Sequence, residues 1–505
     1  MKRKIRHIIE SRKRKIERRL EKALKQNGQQ PTLTAGNIVY ELAERNNAIN
    51  VGGIGLAHLL VKQSGLIRKI DEKVEVLKCH MPYHESDHVL NIAYNSLVGG
   101  TTLDDIELRR NDSAYLDAIG AESIPDPTTA GDFCRRFQEK DILALMNAYN
   151  ETRLSVWQLQ PPEFFDKARI DADGTMVGTL GECKQGMDIS YHGIWGYHPL
   201  LISLANTGEP LFIVNRSGNR PSHEQAPEYF DRAIELCRKA GFKEVLLRGD
   251  TDFSLTKHFD HWDDLGVKFV FGLDAKKNMV SLADEVDEYR ELVRRAEREL
   301  KTQPRQKPEN VKEKIVCERE YLNLKLLGEA VGEFEYRPIK CERSYRVVVV
   351  AKNISKMKGE QVLFDEIRFF FYITNDRRMS CEEVVREAAT RCNQENLIEQ
   401  LKNGVHALHA PVNTLNSNWA YMVMSSLAWS IKAWMALTLP MHSRWKEKHE
   451  KERNQLLRME FRKFCNAIIQ VPCQIVKTGR RIIYRILSWN PWQQVFFRLW
   501  YALKA

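Results

Sequence analysis

From about residue 165 the chain changes texture, and the order of elements that follows limits the folds open to it. ARIDADGTMVG, MDISYHGIWGYHPLLISLANTG and PLFIVNRSG are β-branched or aromatic runs broken by Gly and Pro, and they read as strands. SHEQAPEYFDRAIELCRKAG then reads as a helix. Ser222 and Gln225 fit a capping box, and Gly241 lies past its end. KEVLLRGD is a further strand, TDFSLTKHFDHWDDLG a helix and VKFVFGLD another strand. Residues 275–330 are charged and read as helical, and 331–352 return to strand texture with EFEYRPI and YRVVVVAK. RFFFYITND, Arg368–Asp376, is one more strand before a long helix from Cys381 to about Asn403. Ser380 and Glu383 fit that helix's capping box, and Gly404 fits its stop. The pattern is α/β.

The flanks differ from this core. Residues 1–25 read as a basic amphipathic helix, followed by the polar break Gln26–Pro31. Segments such as GLAHLLVKQSGLIRKI and DHVLNIAYNSLVGG show helical apolar spacing, so residues 35–150 read as mostly helical, with Thr128 or Thr129 as a cap. About 410–505 is helical and Trp-rich. The stretch Ala420–Leu439 is broken by Ser425, Ser426, Ser430 and Lys432, and it reads as a buried helix rather than a membrane span.

With 505 residues, 43% of them apolar and 29% charged, several domains and more than one core are expected. The net charge of +10 is concentrated at the ends. Residues 1–25 hold 12 Lys/Arg against 3 Glu, and 441–505 hold 14 against 4. Basic ends on a balanced middle suit a polyanion. The ten cysteines form no C-x-x-C pair, which argues against a disulfide framework or zinc motif and for a reducing compartment. MKRKIRHIIESRKRK has no apolar segment, so no secretory signal is expected. Gly52, Gly53 and Gly55 are not followed by Gly-Lys-Ser/Thr, so no ATP site is implied.

Three acids stand out by position. Asp173 is near the end of one apolar strand and Asp250 ends another, while Glu395 lies on the long helix after the last strand. A carboxylate at a buried strand end is costly unless paired or metal-bound. Several together repel one another and attract hard divalent cations such as Mg²⁺ or Mn²⁺. Asp171 and Asp173 alternate onto one strand face, so either could be the first acid. Asp252 is the second choice beside Asp250, and Glu399 lies one turn after Glu395. On a regular helix Arg391, Glu395 and Lys402 fall within roughly 40° of one another. Two cations beside a ligating carboxylate could hold phosphates. A solvated ladder of ion pairs is the plainer alternative.

These residues carry a resemblance. Asp173-Gly174-Thr175, Arg248-Gly249-Asp250 with Phe253, and Tyr372-Ile373-Thr374-Asn375 resemble the DDE transposases of bacterial insertion sequences. Arg391, Glu395 and Lys402 match the Y-x2-R-x3-E-x6-K signature of the insertion-sequence 4 superfamily, with Ala388 where the Tyr would stand. LLRGD and the QEN-I-E-x-LK helix look most like the insertion-sequence 1380 family, related to the piggyBac-like group.

The resemblance implies a ribonuclease-H-like catalytic core with a mixed α+β insertion, flanked by helical N- and C-terminal regions. Asp173, Asp250 and Glu395 would bind two Mg²⁺ or Mn²⁺ ions, and Arg391 and Lys402 would touch DNA. The implied activity is metal-dependent cleavage of double-stranded DNA at terminal inverted repeats and strand transfer into target DNA. A homodimer is expected in the active complex, in the bacterial cytoplasm with the nucleoid and away from membranes. The expected divisions are a basic helix at 1–30, a helical DNA-binding or dimerisation region at 31–160, and core segments at 161–274 and 366–440. An insertion at 275–365 and a basic, Trp-rich helical region at 441–505 complete them. A nuclease that does not join strands, and a DNA-binding descendant with no activity, are the alternatives. His192 and His198 could lie near the site or simply serve a hairpin. Trp262 could stack on a base but reads more simply as core. The C-terminal Trp series also reads as core, with Arg480, Arg481 and Arg485 keeping a DNA or dimer role open.

Overall fold

The basic first stretch forms one helix, α1 (Lys2–Lys25), within a unit of its own, Met1–Asn46, while the other elements belong to Asn47–Ala505. The computed structural model describes residues 2–25, 38–41, 47–292, 311–441, 443–479, 481–487 and 489–504. The expected polar break Gln26–Pro31 lies outside them.

In the second unit, apolar residues recurring every three or four positions wind residues 54–157 into helices. The main ones are α2 (Ile54–Gln63), α3 (Leu66–Lys73), α4 (Glu85–Leu97), α5 (Pro127–Arg135) and α6 (Glu139–Trp157). Asp126, not Thr128 or Thr129, caps α5, its Oδ1 accepting from the Thr129 N–H at 3.0 Å. Pro127 sets that start, because proline favours the first helical position.

Among the described residues the large sheet has nine strands. Its centre is β1 (Lys167–Gly174), β2 (Leu200–Leu204) and β3 (Glu209–Val214), then β4 (Glu244–Gly249) and β5 (Lys268–Leu273). β2 runs antiparallel to β1 and β3, whereas β4 runs parallel to β1 and β5 parallel to β4. β2 and β3 are buried at every residue, as strands covered on both faces must be. The crossover from β3 to β4 is α7 (Ala226–Ala240), which turns Tyr229, Phe230, Ala233, Ile234 and Cys237 inward and stops at left-handed Gly241. Here the expected cap fails. Gln225 takes φ 63 and its side chain makes no cap bond, so Ser222 lies outside the helix. Trp262 is fully buried against Phe230, Phe259 and Phe271, a core residue.

Beyond β5 the sheet continues antiparallel through β6 (Leu322–Tyr336), β7 (Tyr345–Lys358) and β8 (Gln361–Thr374), in the order β6-β7-β8-β5, with Arg290–Glu291 outside β6. These strands are longer than expected, and the division at 365 cuts through β8. Gly359, at φ 61, makes the tight turn that joins Lys358 to Gln361. The helix expected across 275–330 is shorter. Lys277–Asp284 and Val311–Glu318 are helical, Arg290–Glu291 is strand, and 293–310 lie outside the described residues.

After β8 come α8 (Cys381–Thr390), α9 (Cys392–Glu399), α10 (Leu415–Leu437) and α11 (Gln493–Lys504). Ser380 and Glu383 cap α8 reciprocally. α10 is buried from Ser417 to Leu437 and packs on α4, α6 and β3, and a helix apolar all round belongs in a core. Among the described residues no helix is long and apolar enough to cross a membrane. Glu209 of β3 joins these layers. It is fully buried and accepts from Arg153 Nε (3.0 Å), Trp157 Nε1 (2.9 Å) and Trp434 Nε1 (2.8 Å). The tail is not all helix. Cys473–Thr478 and Arg481–Ile486 form a hairpin joined by Ala48–Ile49. Its β-branched alternation and Gly479 favour strands. Trp445 and Trp489 are exposed rather than core.

Candidate active site

Parallel pairing of β1 with β4 places Asp171 opposite Arg248. Two residues further along each strand stand Asp173 and Asp250, so the register brings both acids to the same edge of the sheet. Arg248-Gly249-Asp250 then has a local explanation. Arg248 reaches across to Asp171 with both arms, Nε to Oδ1 at 2.7 Å and Nη2 to Oδ2 at 2.9 Å. A Cβ on Gly249 would come within 2.5 Å of the Phe253 Cβ, so glycine lets the buried Phe253 fold back beneath the strand end. Asp250 caps the next turn, its Oδ1 accepting from the Asp252 N–H at 3.0 Å.

Arg248 also fixes the helix. Its Nη1 donates to Glu387 Oε2 at 2.9 Å and to Thr390 Oγ1 at 2.7 Å, and Arg169 binds the same Glu387 carboxylate at 2.8 Å. Burial alone would lower the Arg248 guanidinium, but Asp171 and Glu387 hold it above its ordinary value. Burial would raise Glu387, yet Arg169 and Arg248 keep it below the usual carboxylate range. Gln394 adds a second tie from α9 to β2 through the Ser203 hydroxyl and the Leu201 carbonyl.

With Glu387 fixed, the next turn carries Arg391 over the strand ends. Its Nη1 is 3.3 Å from Asp173 Oδ2 and its Nη2 is 3.9 Å from Glu395 Oε1. Burial pushes the Asp173 carboxyl up to about 6, Arg391 pulls it back, and Asp250 and Glu395 add to the rise. Asp250 is likewise raised, chiefly by burial and against Arg391. The helical run is irregular where the sequence predicts regularity. Arg391 is the joint between α8 and α9, and Gln400–Gly404 is a π-turn, so the 40° estimate does not apply to Lys402. Lys402 still feels Asp173. Its ammonium is lowered by burial, with Glu399 and Asp173 opposing.

The alternatives are placed differently. Asp171 is fully buried in the Arg248 clasp, Asp252 is exposed, and both Glu399 oxygens accept from Asn403 at 2.8 Å. Glu395 leans outward, 65% exposed. Among the described residues no three His, Cys, Asp or Glu side chains are gathered as a ready-made metal cluster. The donor set nonetheless suits a hard cation, because the like charges of Asp173, Asp250 and Glu395 have Arg391 as their shared counter-charge. Arg248, Glu387 and Gln394 were not singled out as positioning residues in the sequence. The four-residue spacing Glu387–Arg391–Glu395 was the signal available.

Strand-end carboxylates beside an arginine and a lysine are a set of groups that hard cations and phosphates could share. The chain belongs to the family described as Transposase DDE domain group 1, whose model matches residues 48–505. A comparison with curated proteins finds no match. Among solved structures, a piggyBac transposase synaptic complex with hairpin DNA aligns over 83% of this chain and 81% of that one. The identity is 9% and the TM-score 0.35, a likeness too distant to carry an argument.

Proposed function

We propose that the chain is a DNA transposase that cuts double-stranded DNA at the terminal inverted repeats of its element and joins the ends to target DNA. The observation that carries this reading is the shared register of Asp173 and Asp250, with Arg391 spanning Asp173 and Glu395. Family membership supports it. The order β3-β2-β1-β4-β5, with the first three antiparallel and the last two parallel, supports a ribonuclease-H-like core in which β6–β8 belong to an insertion. LLRGD and the α9 sequence favour the insertion-sequence 1380 branch.

In this reading Asp173, Asp250 and Glu395 hold two Mg²⁺ or Mn²⁺ ions. Bound there, the ions supply an activated oxygen nucleophile and offset charge on the leaving oxygen. Glu395, exposed here, would turn inward to join the strand-end acids. That would free the Arg391 guanidinium from Asp173 and Glu395 for a phosphate, with Lys402 adding a point charge near Asp173. Asp171 takes no part as a ligand because Arg248 occupies both of its oxygens. Two ends held together call for a homodimer.

The test uses a supercoiled plasmid carrying the DNA that flanks the chain's own coding sequence, with Mg²⁺ or Mn²⁺. Nicking or excision abolished by Asp173→Asn, Asp250→Asn and Glu395→Gln, together with joining of pre-cleaved ends, is expected. Cutting without joining would make the chain a nuclease. DNA binding with no cutting, unchanged in Asp250→Asn, would make it a binding protein only.

A further inference from the structure

The strands β6–β8 run on past the part of the sheet that packs on α8, and there β8 has an open side. β7 pairs with β8 along its whole length, from Arg346 opposite Thr374 to Lys358 opposite Gln361, but β5 pairs with β8 only through Phe371–Thr374. β5 stops at Leu273, and the helix that follows it, Lys277–Asp284, packs on β6. Among the described residues no backbone hydrogen bond reaches the outer side of β8 between Phe364 and Phe370. The side chains are open too, with Phe364 49%, Ile367 60% and Phe370 41% exposed. Such an edge is a template for another strand, and folded proteins commonly blunt it with Lys, Pro or a bulge. The stretch Phe364–Phe370, FDEIRFF, holds no Lys and no Pro, and the bulge in β8 falls before it, at Leu363. The other free edge, β6 before Ala330, does carry Lys325 and a bulge at Leu327.

Residues opposite each other in a sheet share a face. Two antiparallel copies of β8 related by a two-fold axis therefore meet with one residue facing its own copy. Charge selects that residue. Centred on Ile367, Glu366 faces Arg368 of the partner subunit, Arg368 faces Glu366 of the partner subunit, and Phe364 faces Phe370 of the partner subunit. Centred on Asp365, Glu366 or Arg368, a charge faces its own copy, and like charges directly opposite destabilise a sheet. Centres beyond these run into the Leu363 bulge or into residues already paired with β5. The four side chains concerned lie on one face, where Lys356 stands 5.2 Å from the Phe364 ring centroid and Lys352 4.5 Å from that of Phe370. Within one chain Glu366 and Arg368 meet each other at 3.1 Å, and both stay exposed.

We infer that two copies of this chain join edge to edge through Phe364–Phe370, antiparallel about Ile367, so that their β6–β8 sheets become one. The inference rests on the homodimer of the proposed function and deepens it by naming the surface. Its test needs neither DNA nor cutting, so the two readings fail separately.

Sedimentation of the full chain without DNA, across protein concentration, gives the mass in solution, with Tm measured in parallel. The parent is expected to be a dimer. Glu366→Arg and Arg368→Glu should each weaken self-association about tenfold or more, since each sets two like-charged pairs across the axis. The two single variants mixed should form a mixed dimer, because one chain then brings two cations and the other two anions. The double variant Glu366→Arg/Arg368→Glu should dimerise as the parent does. A chain that had merely misfolded would show neither recovery. A parent that is monomeric throughout, single variants that dimerise as the parent does, or a mixture that stays monomeric would overturn the inference. So would growth into ever longer assemblies, the mark of an open contact between β6 and β8 of successive copies. In each of these cases Asp250-dependent cutting by the parent would leave the transposase reading standing.

Discussion

Asp171 and Asp173 share a strand face two residues apart, and burial raises both carboxyls. Arg248 clasps both oxygens of Asp171, whereas Asp173 meets Arg391 through one oxygen, with Asp250 and Glu395 adding to its rise. Asp173 is raised to about 6 by burial, above an unfolded value of about 3.9. Its contribution to stability is therefore fully present below about pH 4 and is lost as pH rises through about 6. Without metal, Asp173→Asn should melt higher than the parent at pH 8, by about 1–3 kcal/mol, with the gap closing by pH 4. Thermal melts in chelator across that range check this, and a gap independent of pH would refute it. Asp171→Asn should instead cost about 3–5 kcal/mol at neutral pH, because it leaves Arg248 buried with half its partners. Urea titration measures that loss. In the sequence both acids lie on one face, and only the Gly174-Thr175 that follows favours Asp173. What sets them apart in the structure is Arg248, 77 positions away, crossing to Asp171, and only strand register sets such a meeting. Asp250 and Glu395 stand out in the sequence because one ends a strand and the other lies on a patterned helix, and the structure sets Asp250 just past β4 and Glu395 3.9 Å from Arg391.

Among elements, the legible ones were those whose signals are local. The Ser380–Glu383 capping box, the stop of α7 at Gly241 and the buried α10 could all be read from residue type and spacing. Ser380→Ala should cost about 1 kcal/mol, seen as a small fall in the urea midpoint. The β6–β8 strands and the C-terminal hairpin were shortened or missed because charged residues interrupt their alternation, and pairing partners rather than propensity extend them. The π-turn at Gln400–Gly404 gives no sequence signal we can identify. Glu209 is a test of how the layers hold together. Glu209→Ala strands Arg153 in the core and leaves two indole N–H groups without their acceptor, so a loss of about 3–5 kcal/mol is expected. A loss under 1 kcal/mol would show that the node is dispensable.

At the scale of the whole molecule, Asn47–Ala505 is one unit, because α10, late in the chain, packs on α4 and α6, early in it. A cut near residue 160 would therefore expose the faces of α4 and α6 that α10 covers. Removing 1–46 should leave the main unfolding transition in place. That stretch carries 12 Lys/Arg among its first 25 residues, so the deletion should also flatten the salt dependence of DNA affinity. Binding measured from about 50 to 200 mM salt tests this, and an unchanged slope would show that α1 makes no phosphate contact. The Arg248 clasp bears on the birth of the protein as well. Asp171 and Arg248 leave the ribosome long before Glu387, and Arg391 and Glu395 follow still later. An unfinished chain thus carries two strand-end acids but neither the helix that completes the site nor the carboxylate that fixes it. Under the proposed function, a chain that stops before Arg391 would lack both it and Glu395 and would not cut the DNA around it.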